Sequence, residues 1–146
     1  MEDDRITAEI LDAALAIHRR VGPGLLESVY ESLLASALSS QGMKVERQRT
    51  LQFTLDGIHF REGLRVDLLV EGRIVVELKS LERVLPLHSK QVLTYLRLLQ
   101  LPVGLLINFG GATLKEGVKR VVNNYIPPDP GAGPPPRLAV RLRGSA

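Results

Sequence analysis

The chain opens with two stretches in which apolar residues recur at helical spacing. The apolar positions of residues 5–20 fall on one face of a helix. Asp3 and Asp4 precede them, where negative charge stabilises a helix N-terminus. Gly22-Pro23-Gly24 is a strong stop signal, and a second helix is predicted over residues 25–40. We therefore expect two consecutive helices before any strand.

From residue 45 the pattern changes to an alternation of period two, which is typical of β-strands. Uninterrupted alternation predicts one strand over residues 45–55. Two further strands, 64–70 and 73–80, lie on either side of the turn signal Glu71-Gly72. Three successive strands of this kind predict an antiparallel meander.

A third helix is predicted over residues 87–100, directly after Pro86, and a short apolar strand over residues 103–108 follows it. A final helix is predicted over residues 113–123. The resulting order, α-α-β-β-β-α-β-α, predicts an α/β fold in which helices flank a mixed sheet.

Composition divides the 146 residues into one domain and a tail. Residues 1–124 form the predicted domain, whereas residues 125–146 are rich in Pro, Gly and Arg and are expected to be disordered. The net charge of +3 says little about partners, because residues 1–124 contain 16 Lys and Arg against 15 Asp and Glu. Only clustering of cations in the fold could create a phosphate-binding surface.

The absence of Cys excludes disulfides and thiolate metal sites, and the three His are scattered. Any metal would be held by carboxylates and carbonyls, which favours Mg²⁺ or Mn²⁺. The acidic N-terminus does not resemble a secretory signal, and the most apolar stretch, Leu98 to Phe109, is too short to span a bilayer. We therefore expect a cytoplasmic protein without membrane association.

Ionisable residues interrupt two predicted strands that are otherwise apolar. Glu77 and Lys79 lie on one face of the strand 73–80, and Asp67 lies in the neighbouring strand. Charges in such strands are costly unless they are paired or bound to a metal. Two carboxylates near a backbone carbonyl suit a hard divalent cation. The lysine could orient a water or stabilise developing negative charge. The alternative is a solvated sheet face or a Glu–Lys pair at its rim.

A shared site also places a condition on the hairpin between these strands. A two-residue turn at Glu71-Gly72 would put Asp67 and Glu77 on opposite faces, because a slip of one residue inverts every side chain. An odd-length loop is required. We predict a loop in which Gly72 takes a positive φ and Asp67 pairs with Val75.

The spacing of Asp67 and Glu77-Leu78-Lys79 resembles the D…(D/E)xK signature of the PD-(D/E)xK nuclease superfamily, although Val66 replaces the proline of the motif. Residues 24–30 resemble the motif that names the GxxExxY family, a bacterial branch of that superfamily. Several other segments fit this context: Ile17-His18-Arg19-Arg20, Arg65, Pro86-Leu87-His88-Ser89-Lys90-Gln91 and Leu105-Leu106-Ile107-Asn108-Phe109. The resemblance covers roughly residues 5–124.

This resemblance implies a restriction-endonuclease-like αβββαβ core, extended here by the N-terminal helix and the final helix. It implies catalytic roles for Asp67, Glu77 and Lys79. The implied metal ligands are Asp67, Glu77, the backbone carbonyl of Leu78, and Glu27 as the upstream glutamate of exonuclease-like branches. Gln91 and Tyr95 fit the QxxxY motif of those branches, with i,i+4 spacing on one helix face.

Plain structural alternatives accompany the supporting residues. Glu27 could do no more than complement a helix dipole. Gln91 could be a surface polar group, or with Tyr95 it could contact substrate phosphate or shape the site. Arg65 could bind phosphate or balance the carboxylates, and the sequence does not separate these roles. Tyr30 is expected in the core. His18 and His88 are expected to be structural.

The predicted function is hydrolysis of nucleic-acid phosphodiester bonds, with DNA as the expected substrate and Mg²⁺ or Mn²⁺ as the cofactor. The alternative is a catalytically silent nuclease-fold module that acts through a protein or nucleic-acid partner. The sequence does not indicate an oligomeric state.

Overall fold

The computed structural model describes residues 2–124 and, as backbone, residues 138–142. Three α-helices, one 3-10 helix and six strands occur in these ranges. They are α1 (Glu2–Val21), α2 (Glu27–Ser40), β1 (Val45–Leu55), β2 (Ile58–Val70), β3 (Ile74–Lys79), α3 (Pro86–Leu99), β4 (Val103–Asn108), the 3-10 helix Lys115–Gly117, β5 (Val118–Val122) and β6 (Leu138–Leu142).

The strands form one mixed sheet in the order β5-β4-β3-β2-β1-β6. Only β3 and β4 are parallel, because α3 carries the chain back across the sheet between them. Both of these strands are almost entirely buried. This arrangement confirms the α/β class and the restriction-endonuclease-like mixed sheet flanked by helices.

Two hydrophobic clusters lie on opposite faces of the sheet. On one face, α1 and α2 pack through Ile10, Tyr30 and Leu34 against alternate residues of the strands. On the other face, α3 packs through Val92 and Leu96. A Cβ at Gly104 of β4 would approach Val92 Cγ1 to 2.8 Å, so this glycine permits the close approach of α3 to the sheet.

The loop between α1 and α2 is fixed to the sheet by Tyr30, which is fully buried as predicted. Its hydroxyl donates to the carbonyl of Gly22 at 2.6 Å and accepts from the amide of Leu25 at 3.2 Å. Its ring stacks on Phe109 with centroids 4.4 Å apart. The hydroxyl of Ser80, just after β3, donates to the carbonyl of Leu25 at 2.6 Å. These contacts hold the start of α2 at the end of β3.

The predicted helix over residues 113–123 is wrong. The structure has the 3-10 helix there, and then β5, which pairs antiparallel with β4. Val118, Val121 and Val122 satisfy helical spacing, but β-branched residues also favour strands, and the β4 edge supplies hydrogen-bond partners. A Cβ at Gly117 would lie 2.3 Å from the carbonyl oxygen of Asn108, so the chain crosses that strand closely.

The predicted disordered tail, residues 125–146, lies outside the described residues except for Leu138–Leu142. Those five residues pair antiparallel with β1 from Leu51 to Leu55. The structure therefore has an edge strand over Leu138–Leu142, where the sequence predicted disorder.

Candidate metal centre

The hairpin between β2 and β3 brings Asp67 and Glu77 together. Its pairs are Val70–Ile74, Leu69–Val75 and Leu68–Val76, so three residues form the loop. The predicted odd loop length is therefore confirmed, as is the positive φ of Gly72 (64°). The predicted partner of Asp67 is wrong by two residues, because the observed register places Asp67 opposite Glu77 instead of Val75.

Hydrogen bonds tie these two carboxylates to the backbone of the opposite strand. The amide of Asp67 donates to Glu77 Oε1 at 3.0 Å, and the amide of Leu78 donates to Asp67 Oδ2 at 2.8 Å. The side chains of Asp67 and Glu77 are themselves in contact. The condition for a shared site, adjacent carboxyl groups, is met.

The two carboxylates differ in burial, because Glu77 is buried and Asp67 is partly exposed. Glu77 is only 7% exposed. Burial and the neighbouring charge of Asp67 raise the pKa of Glu77 to about 8, and the charge of Lys79 opposes this only weakly. Glu77 therefore holds a proton at neutral pH unless a cation joins the pair.

Asp67 opens onto a cleft of about 670 Å³ between α2 and the sheet. Glu27, Arg65 and Leu78 also line this cleft. Glu27 is exposed. The structure thus places Glu27 at the rim, on the same cleft as Asp67.

Tyr95 and Gln91 approach the site from α3. The side-chain amide of Gln91 donates to the hydroxyl of Tyr95 at 2.9 Å, so the two residues share one helix face, as their i,i+4 spacing predicted. Burial and the charge of Glu77 raise the pKa of Tyr95, whereas the positive charge of Arg65 acts in the opposite direction. Tyr95 is therefore close enough to sense both the carboxylate and the arginine.

Two residues that sequence reasoning missed complete the cleft. Glu31 of α2 is 6% exposed and accepts from Arg47 Nε and Nη2 at 3.1 and 3.0 Å. Gln48 donates from its side chain to both Glu31 and Asp67. The only signal for Glu31 was its place one helical turn after Glu27, on the same side of α2.

The expected structural roles of the two histidines are observed. Nε2 of the buried His18 lies 3.0 Å from the carbonyl oxygen of Gly111. Nδ1 of His88 accepts from the amide of Leu85 at 3.0 Å and so caps α3. Neither histidine points to catalysis.

The residues present fit a divalent cation. In the described part of the chain, no group of three or more His, Cys, Asp or Glu side chains is arranged to hold a metal. Asp67 and Glu77 nevertheless form an adjacent pair in which burial and the charge of Asp67 favour the protonated form of Glu77, and a cation would favour its carboxylate form instead. Mg²⁺ is commonly held by one or two carboxylates, with water and substrate phosphate completing its shell.

Comparison with known proteins identifies the class. A sequence model of the PD-(D/E)XK nuclease superfamily matches residues 4–121, so the chain belongs to this superfamily. Nucleases of this superfamily generally use divalent metal ions. No curated protein and no solved structure gives a significant match. Within the described ranges, no helix has the length and apolar character needed to cross a membrane.

Proposed function

We propose that this protein is a metal-dependent nuclease that hydrolyses phosphodiester bonds of nucleic acid, with DNA as the expected substrate and Mg²⁺ or Mn²⁺ as the cofactor. The observation that carries the proposal is the position of the buried Glu77 beside Asp67, where burial and the charge of Asp67 raise the pKa of Glu77 to about 8. A buried carboxyl with a raised pKa beside a second carboxyl is often found at functional sites.

The proposed ligands are Asp67, Glu77 and the backbone carbonyl of Leu78, with Glu27 reaching in from the rim. A bound divalent cation would supply Lewis acidity toward the phosphate and lower the pKa of a water. Glu77 would release its proton to solvent if a cation bound, since the added positive charge would favour the carboxylate.

The remaining side chains act on the substrate. Lys79 extends from the end of β3 beyond Glu77 and stabilises negative charge that develops on the phosphate. Arg65 on the cleft wall suits a phosphate oxygen, because a guanidinium presents several donors in one plane. Tyr95, whose hydroxyl accepts from Gln91, has its own proton free to donate toward the same phosphate.

The test is cleavage of labelled single- and double-stranded DNA and RNA by the purified protein with Mg²⁺, Mn²⁺ or EDTA. Asp67→Ala and Lys79→Ala should lose activity by at least about 100-fold, as expected for groups that stabilise charge in the transition state. Matched controls are Asp12→Ala and Lys115→Ala, which remove the same charges from exposed positions.

Three outcomes are decisive. Loss of cleavage in both site variants and in EDTA supports the nuclease. Cleavage that survives both substitutions indicates a contaminating enzyme and rejects the proposal. Nucleic-acid binding without any cleavage would instead favour a catalytically silent nuclease-fold module that acts through a partner.

A further inference from the structure

Gln48 has a strained backbone in the middle of β1. Its φ is 47°, in the left-handed region that residues other than glycine rarely adopt. The other described non-glycine residues with positive φ, namely Asp56, Glu71 and Gln100, lie in hairpin turns or at a helix C-cap, where this conformation is common. Gln48 is the exception, because regular pairs flank it on both sides.

The strain coincides with a change of face in both strands. Leu64 and Val66 of β2 pack on the α3 side, whereas Leu68 and Val70 pack on the α1–α2 side. The change falls at Asp67, which lies opposite Gln48 between the pairs Arg47–Leu68 and Arg49–Val66. The predicted uninterrupted alternation of β1 is therefore wrong at Gln48.

The side chain of Gln48 joins two carboxylates. Its Nε2 donates to Glu31 Oε1 and, at 3.3 Å, to Asp67 Oδ1. Glu31 is held in turn by Arg47. Because the amide of Leu78 donates to Asp67 Oδ2, both oxygens of Asp67 are engaged and the plane of the carboxylate is set.

We propose that Gln48 is a positioning residue, which uses the anchored Glu31 to fix the orientation of Asp67 toward the cation. This inference rests on the proposed nuclease function. Local strain persists where surrounding contacts over-determine it, often at functional sites. Substitution of a partner that orients a ligating carboxylate typically lowers metal affinity about 10- to 100-fold.

The decisive variant is Gln48→Gly. Glycine adopts a positive φ without steric cost, so this variant should keep at least the wild-type Tm while losing the bridge. Its affinity for Mn²⁺, measured by calorimetry without nucleic acid, should fall about 10- to 100-fold. The kcat for DNA cleavage should fall similarly, with KM unchanged.

Two further variants separate the bridge from general damage to the strand. Gln48→Met keeps the length of the side chain but not the donor, and should weaken Mn²⁺ binding like Gln48→Gly. Gln52→Met makes the same change further along β1, where the side chain contacts His59 at 3.1 Å, and should bind Mn²⁺ like wild type.

The outcomes distinguish this inference from the proposed function. Wild-type Mn²⁺ affinity in both Gln48 variants overturns the positioning role and leaves the nuclease proposal intact. A lower Tm in Gln48→Gly with unchanged Mn²⁺ affinity also overturns it, because the residue would then be structural. If wild-type protein neither binds Mn²⁺ nor cleaves, both proposals fail together.

Discussion

Two glutamates are buried to the same degree in the described chain, and their surroundings differ. Glu31 on α2 is 6% exposed and Glu77 on β3 is 7% exposed. Glu31 meets the guanidinium of Arg47 in two hydrogen bonds, whereas the nearest charged partner of Glu77 is another carboxylate. Burial alone therefore does not mark a functional acid. The candidate centre holds the buried carboxyl that lies beside another carboxylate, and we propose that the compensated glutamate supports this centre.

The largest expected effect separates the two glutamates by function. Glu77→Gln should lower cleavage by roughly 1,000-fold or more, about 4 kcal/mol in the transition state, because it removes a proposed ligand. It should also stabilise the metal-free fold, because glutamine avoids the cost of burying and protonating the Glu77 carboxyl beside Asp67. Glu31→Gln should have the opposite effects. Its cleavage rate should stay within about tenfold of wild type, since the new amide oxygen still accepts from Gln48. Its stability should fall, because the ion pair with Arg47 is lost.

Cleavage rates and urea denaturation of the metal-free proteins measure this contrast. Equal losses of cleavage in the two variants would contradict it, because Glu31 would then act on the substrate or cation directly. A less stable Glu77→Gln protein would contradict the view that Glu77 is poorly compensated.

The next effect concerns pH. The pKa of Glu77 is about 8 in the folded protein, against an ordinary value of 4.5. The folded state therefore binds a proton that the unfolded state releases between these values. The contribution of Glu77 to the stability of the metal-free protein should therefore be greatest below pH 4.5, and it should fall as the pH rises toward 8. From pH 5 to 8 the loss is roughly 3 kcal/mol.

Thermal denaturation of metal-free protein across pH 5–9, in EDTA, measures this loss. Glu77→Gln is the control. Because its side chain does not titrate, this variant should lose most of the slope of stability against pH. Saturating Mn²⁺ should also flatten the curve, because it displaces the same proton. An identical slope in wild type and variant would assign the pH dependence to other groups.

The smallest effect concerns the hydroxyl of Tyr95. Tyr95→Phe should lower cleavage about 3- to 10-fold, the usual worth of one hydrogen bond, while leaving Mn²⁺ affinity unchanged. Thr94→Val is a matched control, because it removes an exposed hydroxyl from the adjacent position of α3. A change in Mn²⁺ affinity for Tyr95→Phe would contradict a role confined to the substrate.

The adjacency of Asp67 and Glu77 was predictable because side chains in strands alternate with a fixed period. The two side chains then share a face only if the hairpin loop has an odd number of residues, and Glu71-Gly72 is compatible with such a loop. The partner of Asp67 was wrong because several odd registers satisfy the same parity. The choice among them depends on the turn, where both Glu71 and Gly72 take positive φ.

The residues proposed to support the candidate centre, Gln48 and Glu31, were not predictable in this way. Gln48 looks like any polar residue of an alternating strand, since nothing in a glutamine signals a left-handed backbone. Glu31 occupies an ordinary helix position, and its burial depends on Arg47, which comes from another element. The prediction of a helix over residues 113–123 was wrong for a related reason. Its valines fit a helix or a strand, and only the open edge of β4 decides between them.

The pairing of β6 with β1 has a consequence for shortened forms of the chain. Ending the protein at residue 124, where composition changes, would remove the strand that covers residues Leu51 to Leu55. That stretch of β1 would then present a row of unpaired amides and carbonyls beside the exposed Leu55. Exposed apolar edges pair with strands from other molecules, so we expect a chain that lacks β6 to self-associate more readily.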